Sequence, residues 1–162
     1  MPELPEMYRY FDKDLQLTIK IPQGWHPAVN EAFKLIIFAP LQDNYQANLG
    51  LNLNQLEPAT LSGLKGLFEQ AQQQQKRHKY YQLTRFEPLQ IDGCDGFLQG
   101  YDWLDESSQL HFSQLQVAVL LNPPDPSILS ISGSSLMLYK TEYLDVLEKM
   151  INSIQLIQLT SL

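Results

Sequence analysis

Hydrophobic and polar residues alternate along much of this chain, and over two stretches they recur instead at helical spacing. Leu15, Leu17, Ile19 and Ile21 alternate with Gln16, Thr18 and Lys20, which places every second side chain on one buried face of a strand. Pro22 and Gly24 break that strand and Trp25 follows at once; a large amphipathic ring beside a turn seals one end of a core. The run LIIFAP at 35–40 is continuously apolar, as in a central strand covered on both sides. Leu49, Leu51 and Leu53 then alternate with Asn48, Gly50, Asn52 and Asn54, a strand with one wet face. Between these two strands, LQDNYQ carries the Asp-Asn pair that favours a turn, so they are expected to form an antiparallel hairpin.

At Thr60 the period changes. Leu61, Leu64, Phe68 and Ala71 fall at i, i+3, i+7 and i+10, one face of an amphipathic helix expected over 61–78. Pro58 and an N-capping Thr60 mark its start. Gly63 and Gly66 each cost about 0.8 to 1 kcal/mol relative to Ala there; burying each Leu or Phe returns roughly 1.5 to 3 kcal/mol. The glutamine-rich end, QAQQQQKRHK, reads as solvated. Residues 81–91 are extended, interrupted by Pro88, and DGCDG is a turn. In FLQGYDWLD one strand face carries Phe97, Tyr101 and Trp103, the other Leu98, Gly100, Asp102 and Leu104. A turn at 106–108 leads into LHFSQLQVAVLL, a long strand stopped by PPDP, and ILSIS makes the next. Thr141 is placed to cap a last helix with a stripe of Leu144, Leu147, Ile151 and Ile154, widened by Tyr143, Val146 and Met150. The tail QLIQLTSL supplies one more edge strand. Turns this short exclude parallel crossovers over most of the sheet, so the pattern predicts an α+β fold, an antiparallel β-sheet flanked by α-helices.

Composition narrows the functional classes. A chain of 162 residues, 44% hydrophobic, suits one domain over 1–162. At this size a domain buries roughly 70% of its unfolded surface without needing disulfides or a structural metal, and Cys94 is its single cysteine. Eighteen acidic against 11 basic side chains give a formal charge of -7, which opposes binding to nucleic-acid phosphates. Glu3, Glu6, Arg9 and Asp12 occupy the start, where an export signal needs an apolar stretch of about 7 to 15 residues. The apolar runs are far shorter than the ~20 residues that span a bilayer. A cytoplasmic protein without integral membrane insertion is expected.

Candidate chemistry is sparse. His26, His78 and His111 share no metal-ligand spacing, so no metal site is expected. His111 and Ser113 lie on one strand face and, with Asp102 as an acidic partner, suggest a small-ligand or hydrolytic cleft as the alternative function. No GxSxG surrounds any serine and no glycine-rich phosphate loop leads into a helix, so neither catalytic residues nor cofactors are assigned. Cys94 sits between Asp92 and Asp95, whose charge disfavours a thiolate, and reads as a turn cysteine. The basic run 76–79, ahead of Tyr80 and Tyr81, reads as a solvated helix end. The remaining candidates are Trp25, Tyr101, Trp103, Tyr143 and Met150, aromatic and apolar residues suited to a groove for a partner helix or apolar segment.

The succession IPQGW, LIIFAP, ANLGLNL, a central helix, GFLQGYDW, QLQVAVLL with ILSIS, and MINSIQLI resembles the family that includes PsbP-like proteins, Mog-type Ran-binding proteins and bacterial DcrB-related proteins, over about residues 10–157. The resemblance implies an α/β/α sandwich, with helices on both sides of an antiparallel sheet. It also implies a non-enzymatic role in binding: PsbP-like proteins assist photosystem II assembly, Mog-type proteins bind a small GTPase, and Eag chaperones hold transmembrane segments of secreted effectors. With no signal or lipidation cysteine in its opening residues, the layout is closer to the cytosolic bacterial members. The expected function is therefore a protein-binding, chaperone-like or assembly-factor-like module, and a homodimer through an exposed strand edge is a further possibility.

Overall fold

A computed structural model describes residues 6–55, 60–121 and 127–157. Pro58, the PPDP block and the end of the tail beyond Ile157 lie outside these residues. In chain order the elements are β1 (Met7–Asp12), β2 (Leu17–Pro22), β3 (His26–Ala28), β4 (Leu35–Phe38), β5 (Asn48–Gln55), α1 (Leu61–Gln75), β6 (Lys79–Ile91), β7 (Cys94–Asp105), β8 (Leu110–Leu120), β9 (Ser127–Leu136), α2 (Lys140–Asn152) and β10 (Gln155–Leu156).

The strands form two sheets rather than one. A seven-stranded sheet runs β3-β4-β5-β9-β8-β7-β6, and a three-stranded sheet runs β1-β2-β10. Their pairings are antiparallel, as short turns demand. Asp43 and Asn44 both adopt positive φ, and Gln42 and Tyr45 exchange main-chain hydrogen bonds around them, the geometry that turns β4 tightly into β5. Asp92 and Gly93 do the same between β6 and β7.

The two faces of the large sheet are covered differently. Residues of one parity, Leu49, Leu51, Leu98, Leu115, Val117, Val119, Leu129 and Ile131, enter the main core with Leu147, Met150 and Ile151 of α2 and Leu17, Ile19 and Ile21 of β2. Ala118 and Ile128, of the other parity, join a smaller core with Leu64 and Phe68 of α1, against which Phe86, Phe97 and Leu120 pack. The helix stripe read at Leu64 and Phe68 is thus the buried one, and Thr60 accepts the Gly63 N–H as its N-cap at 3.0 Å.

Several sequence expectations are corrected. β1 carries no clean alternation and was not foreseen. α1 ends at Gln75 rather than residue 78, with Lys76, Arg77 and His78 in a turn and Lys79 opening β6. α2 begins at Lys140 directly from a 3₁₀ turn at Met137–Tyr139, so Thr141 is no cap. Cys94 opens β7 and is buried in the main core, rather than belonging to the turn before it.

Candidate functional site

On the face of the large sheet that α1 covers in part, three adjacent strands present only amides, hydroxyls and small groups over several consecutive rows. Ser130, Ser132 and Ser134 of β9 stand opposite Asn52, Gly50 and Asn48 of β5, and opposite Ala118, Gln116 and Gln114 of β8. Facing residues on paired strands share a sheet face, so these side chains form one polar floor. α1 borders it on one side through Phe68. On the other side the loop between β3 and β4 folds Phe33 down onto Gly50, where a Cβ would lie 2.5 Å from the ring. Only glycine admits the ring at that depth. Asn52 holds this loop by accepting from the Lys34 N–H at 2.9 Å and donating to the Ala32 carbonyl at 2.5 Å.

The result is a trench with Phe33 and Phe68 as walls and Asn52, Gln116, Ser130 and Ser132 on its floor, enclosing about 200 Å³. That is below the roughly 300 to 1,000 Å³ of usual small-molecule sites. A wider depression of about 500 Å³ also reaches Phe33 and Asn52 and is lined by Asp14, Glu31 and Lys34.

Beneath the C-terminal half of α1 the contact with the sheet is polar. Gln72 Nε2 donates to Gln99 Oε1 at 3.1 Å, Gln99 donates to Gln116, and Gln75 Nε2 donates to Gln116 Oε1 at 3.3 Å. Gln99 is wholly buried. Further along the floor, Tyr45 OH meets Ser134 Oγ at 2.6 Å and Asn54 Nδ2 donates to Ser130 Oγ at 2.8 Å. An aromatic band continues beyond the glutamines. Trp103 packs against His78 at 4.5 Å and Phe112 at 5.4 Å, and Tyr81 against Tyr101 at 5.7 Å. Among the described residues, the buried Gln75 Oε1, Tyr81 OH and Trp103 Nε1 lack hydrogen-bond partners.

The residues proposed for partner contact divide between the two faces of the large sheet. Tyr101 and Trp103 lie beside α1. Trp25, Tyr143 and Met150 belong to the main core, with Trp25 edge-on to Tyr143 at 6.0 Å. Met150 is fully buried and Trp25 and Tyr101 nearly so, so none of these three offers a surface as the chain stands. Burial, and secondarily Tyr81, push the Tyr101 phenol up to about 12. An unfolded tyrosine ionises near 10, so the raised value stabilises the fold fully below pH ~10 and is lost as pH rises through about 12. Denaturation across that range is expected to show a falling stability that Tyr101→Phe flattens. An unchanged slope in the variant would mean the phenol is not desolvated.

The His111, Ser113 and Asp102 set is brought together differently from its catalytic reading. Asp102 and Ser113 are cross-strand partners, and Ser113 Oγ donates to Asp102 Oδ1 at 2.6 Å. Lys140, at the start of α2, donates to both carboxylate oxygens at 3.2 and 2.9 Å. Sequence reading missed this lysine because it lies 38 residues from Asp102. Ser113 is wholly buried, while His111 is exposed and stacks on Tyr80 at 5.7 Å. The serine proton therefore points to a carboxylate that an ammonium already occupies, an arrangement suited to fastening α2 onto β7. Neither of the two depressions above is lined by these residues. Among the described residues no cluster of three or more His, Cys, Asp or Glu is placed to hold a metal ion, and no helix is long and apolar enough to cross a membrane.

No protein-family model matches the chain, and no curated protein matches it in sequence. Solved structures do match in shape. LpqN, involved in cell envelope biogenesis of Mycobacterium tuberculosis, superposes with a TM-score of 0.70 at 12% identity, over 93% of this chain and 90% of its own. Cyanobacterial PsbP (CyanoP) from Synechocystis sp. PCC 6803 gives 0.66 at 11% identity, over 96% and 95%. The fold is PsbP-like. A Pseudomonas aeruginosa protein of unknown function matches at 0.60 and 15% identity, over 96% and 99%. At such identities the PsbP-like likeness is one of architecture, and function has to be argued from the residues.

Proposed function

We propose that the protein is a non-enzymatic accessory module that holds an extended segment of another protein along the trench beside α1. The observation that carries this reading is the floor itself, where rows of amides and hydroxyls lie between two phenylalanine walls. Asn, Gln and Ser side chains both donate and accept, which matches the alternating N–H and C=O groups of an extended main chain. Phe33 and Phe68 grip an apolar side chain of that segment, while the half-buried Trp103, backed by the buried Tyr101, extends the contact at the end of α1. Trp25, Tyr143 and Met150 contribute indirectly, by fixing α2 beneath the opposite face.

Two things support a binding role over catalysis: Ser113 is sequestered, and the chain resembles PsbP-like and DcrB-related assembly factors and chaperones. The role in cell envelope biogenesis stated for LpqN fits an accessory protein of this kind. We assign the chain to that group as an α/β/α sandwich. A photoreactive residue in place of Asn54, on the exposed rim of the floor, is expected to label one segment of a partner in cells. A synthetic peptide of that segment should then compete for the site, and Phe33→Ala should reduce labelling by about 10-fold or more, a loss of ~1.4 kcal/mol. Labelling scattered over many unrelated proteins and unaffected by Phe33→Ala would overturn the reading.

A further inference from the structure

Among the described residues the two sheets have four edges, β3 and β6 on the larger and β1 and β10 on the smaller. An open edge displays unpaired main-chain groups and invites another strand unless it is shortened, bulged, charged or interrupted by proline. β3 has three residues with Pro27 in the middle, and β10 has two residues. β6 carries Pro88 and two register shifts, and its Arg85 is ion-paired to Glu87 and Glu148. β1 is neither shortened, bulged nor interrupted by proline, and of its two charged residues Asp12 is buried, which leaves Arg9 as the single exposed charge on the strand. It runs straight for six residues, MYRYFD, in unbroken register with β2, and Tyr8 and Phe11 are exposed, Phe11 by 56%.

The direction of each main-chain group on β1 follows from one hydrogen bond. Gln23 N–H donates to the Glu6 carbonyl at 2.8 Å, and these residues continue the β1–β2 register, in which Met7 faces Pro22. Hydrogen-bonded and non-bonded pairs alternate along an antiparallel ladder. Tyr8, Tyr10 and Asp12 therefore bond inward to β2, while Met7, Arg9 and Phe11 turn their N–H and C=O groups to the open edge. Two observations agree. Pro22, opposite Met7, has no N–H to offer, and the Lys20 N–H, opposite Arg9, points away from β1 to Ser153 Oγ at 2.8 Å.

We infer that β1 is a self-association edge, pairing antiparallel with β1 of a second copy about a two-fold axis at Tyr10. Outward-facing residues must meet outward-facing residues, which restricts the register. An axis at Arg9 sets two guanidinium groups directly opposite each other, a repulsive pairing. An axis at Tyr8 leaves Phe11 without a partner on the strand. An axis at Tyr10 pairs Arg9 with the partner's Phe11 twice, and each such pair exchanges both main-chain hydrogen bonds. It also lays a cation beside an aromatic ring and sets Tyr8 across from the partner's Asp12. Self-complementarity of this kind is what a two-fold interface requires. The ladder is short, so its buried area falls below the roughly 1,200 Å² of stable complexes and the dimer is weak.

Sedimentation equilibrium of the full chain from about 10 μM to 1 mM is expected to show a monomer–dimer equilibrium. Phe11→Lys, which faces the partner's Arg9, should weaken it at least 10-fold, and adding Arg9→Glu should restore it by opposite charge. Phe11→Pro removes only an outward N–H and should abolish pairing while the circular dichroism and melting profile stay native. Tyr10→Cys should form an intermolecular disulfide under mild oxidation, since facing residues of a non-bonded pair have Cα atoms about 4.5 Å apart, and Tyr8→Cys should not. A native chain that stays monomeric to 1 mM overturns the inference, as does a dimer indifferent to Phe11→Lys or one cross-linked through position 8 instead of position 10.

Discussion

Gly96→Ala is expected to destabilise the fold by about 3 kcal/mol, the upper range for overpacking a close-packed interior. A Cβ at this position would lie 2.0 Å from the Ala118 carbonyl oxygen and 2.7 Å from the Val119 Cα. Both belong to the backbone of β8, paired with β7 at this point, so no side-chain rotation relieves the clash and the strands must separate. The measurement is the urea midpoint, with the slope checked for constancy so that a shift reports stability. Gly66→Ala provides the opposite case. That glycine lies inside α1, and an added methyl would have no neighbour within 4 Å, so the change is expected to stabilise by about 0.5 to 1 kcal/mol through helix propensity. Equal tolerance at both sites would show that β7 and β8 do not approach as closely as described.

Asp102→Ala is expected to cost about 2 to 3 kcal/mol. The wholly buried Ser113 hydroxyl loses its acceptor, a loss of roughly 1 to 3 kcal/mol, and the ion pair to Lys140 disappears. Lys140 is 31% exposed on its side chain, so its ammonium can turn to water. The penalty therefore stays below the roughly 3 to 5 kcal/mol of breaking a fully buried pair. Asp102→Asn keeps an acceptor for Ser113 and should lose about half as much. A double-mutant cycle with Ser113→Ala should return a coupling of about 1 kcal/mol. Additive losses in that cycle would mean that the two side chains do not share a bond.

Much of this architecture is legible in the sequence because burial on one face writes a period. Leu17, Ile19 and Ile21 mark β2, and Leu64 with Phe68 marks the inner face of α1. Of the trench floor only one strand is read as wet, that of Asn48, Asn52 and Asn54; Gln114, Gln116, Ser130, Ser132 and Ser134 alternate with apolar residues in the same way but are not recognised as its continuation. What the pattern does not carry is which polar faces stand next to one another, since that depends on strand order. β1 escaped because an edge strand exposes most of its side chains and its aromatic residues fall on both faces. Pro27 disguised β3. The division into two sheets is set by pairing partners, which hydrophobic period does not encode. Cys94 was misplaced because Asp92 and Gly93 complete the hairpin turn before it, leaving the cysteine as the first inward residue of β7. Lys140 was invisible as a partner of Asp102 for a similar reason, since only the packing of α2 brings the two together.

The inequality of the two hydrophobic cores bears on how the molecule breathes. α2 is anchored by wholly buried Leu147 and Met150 among a score of other apolar residues, whereas α1 rests on Leu64 and Phe68 followed by a patch of glutamines. Amide–amide bonds can be traded for bonds to solvent at little net cost, so the second half of α1 has the lower barrier to sub-global opening. Lifting it would uncover Gln99 and Gln116 at the end of the trench without disturbing the larger core. Helix α1 is thus pinned at Leu64 and Phe68 and held more loosely beyond them, on a frame that the larger core keeps rigid.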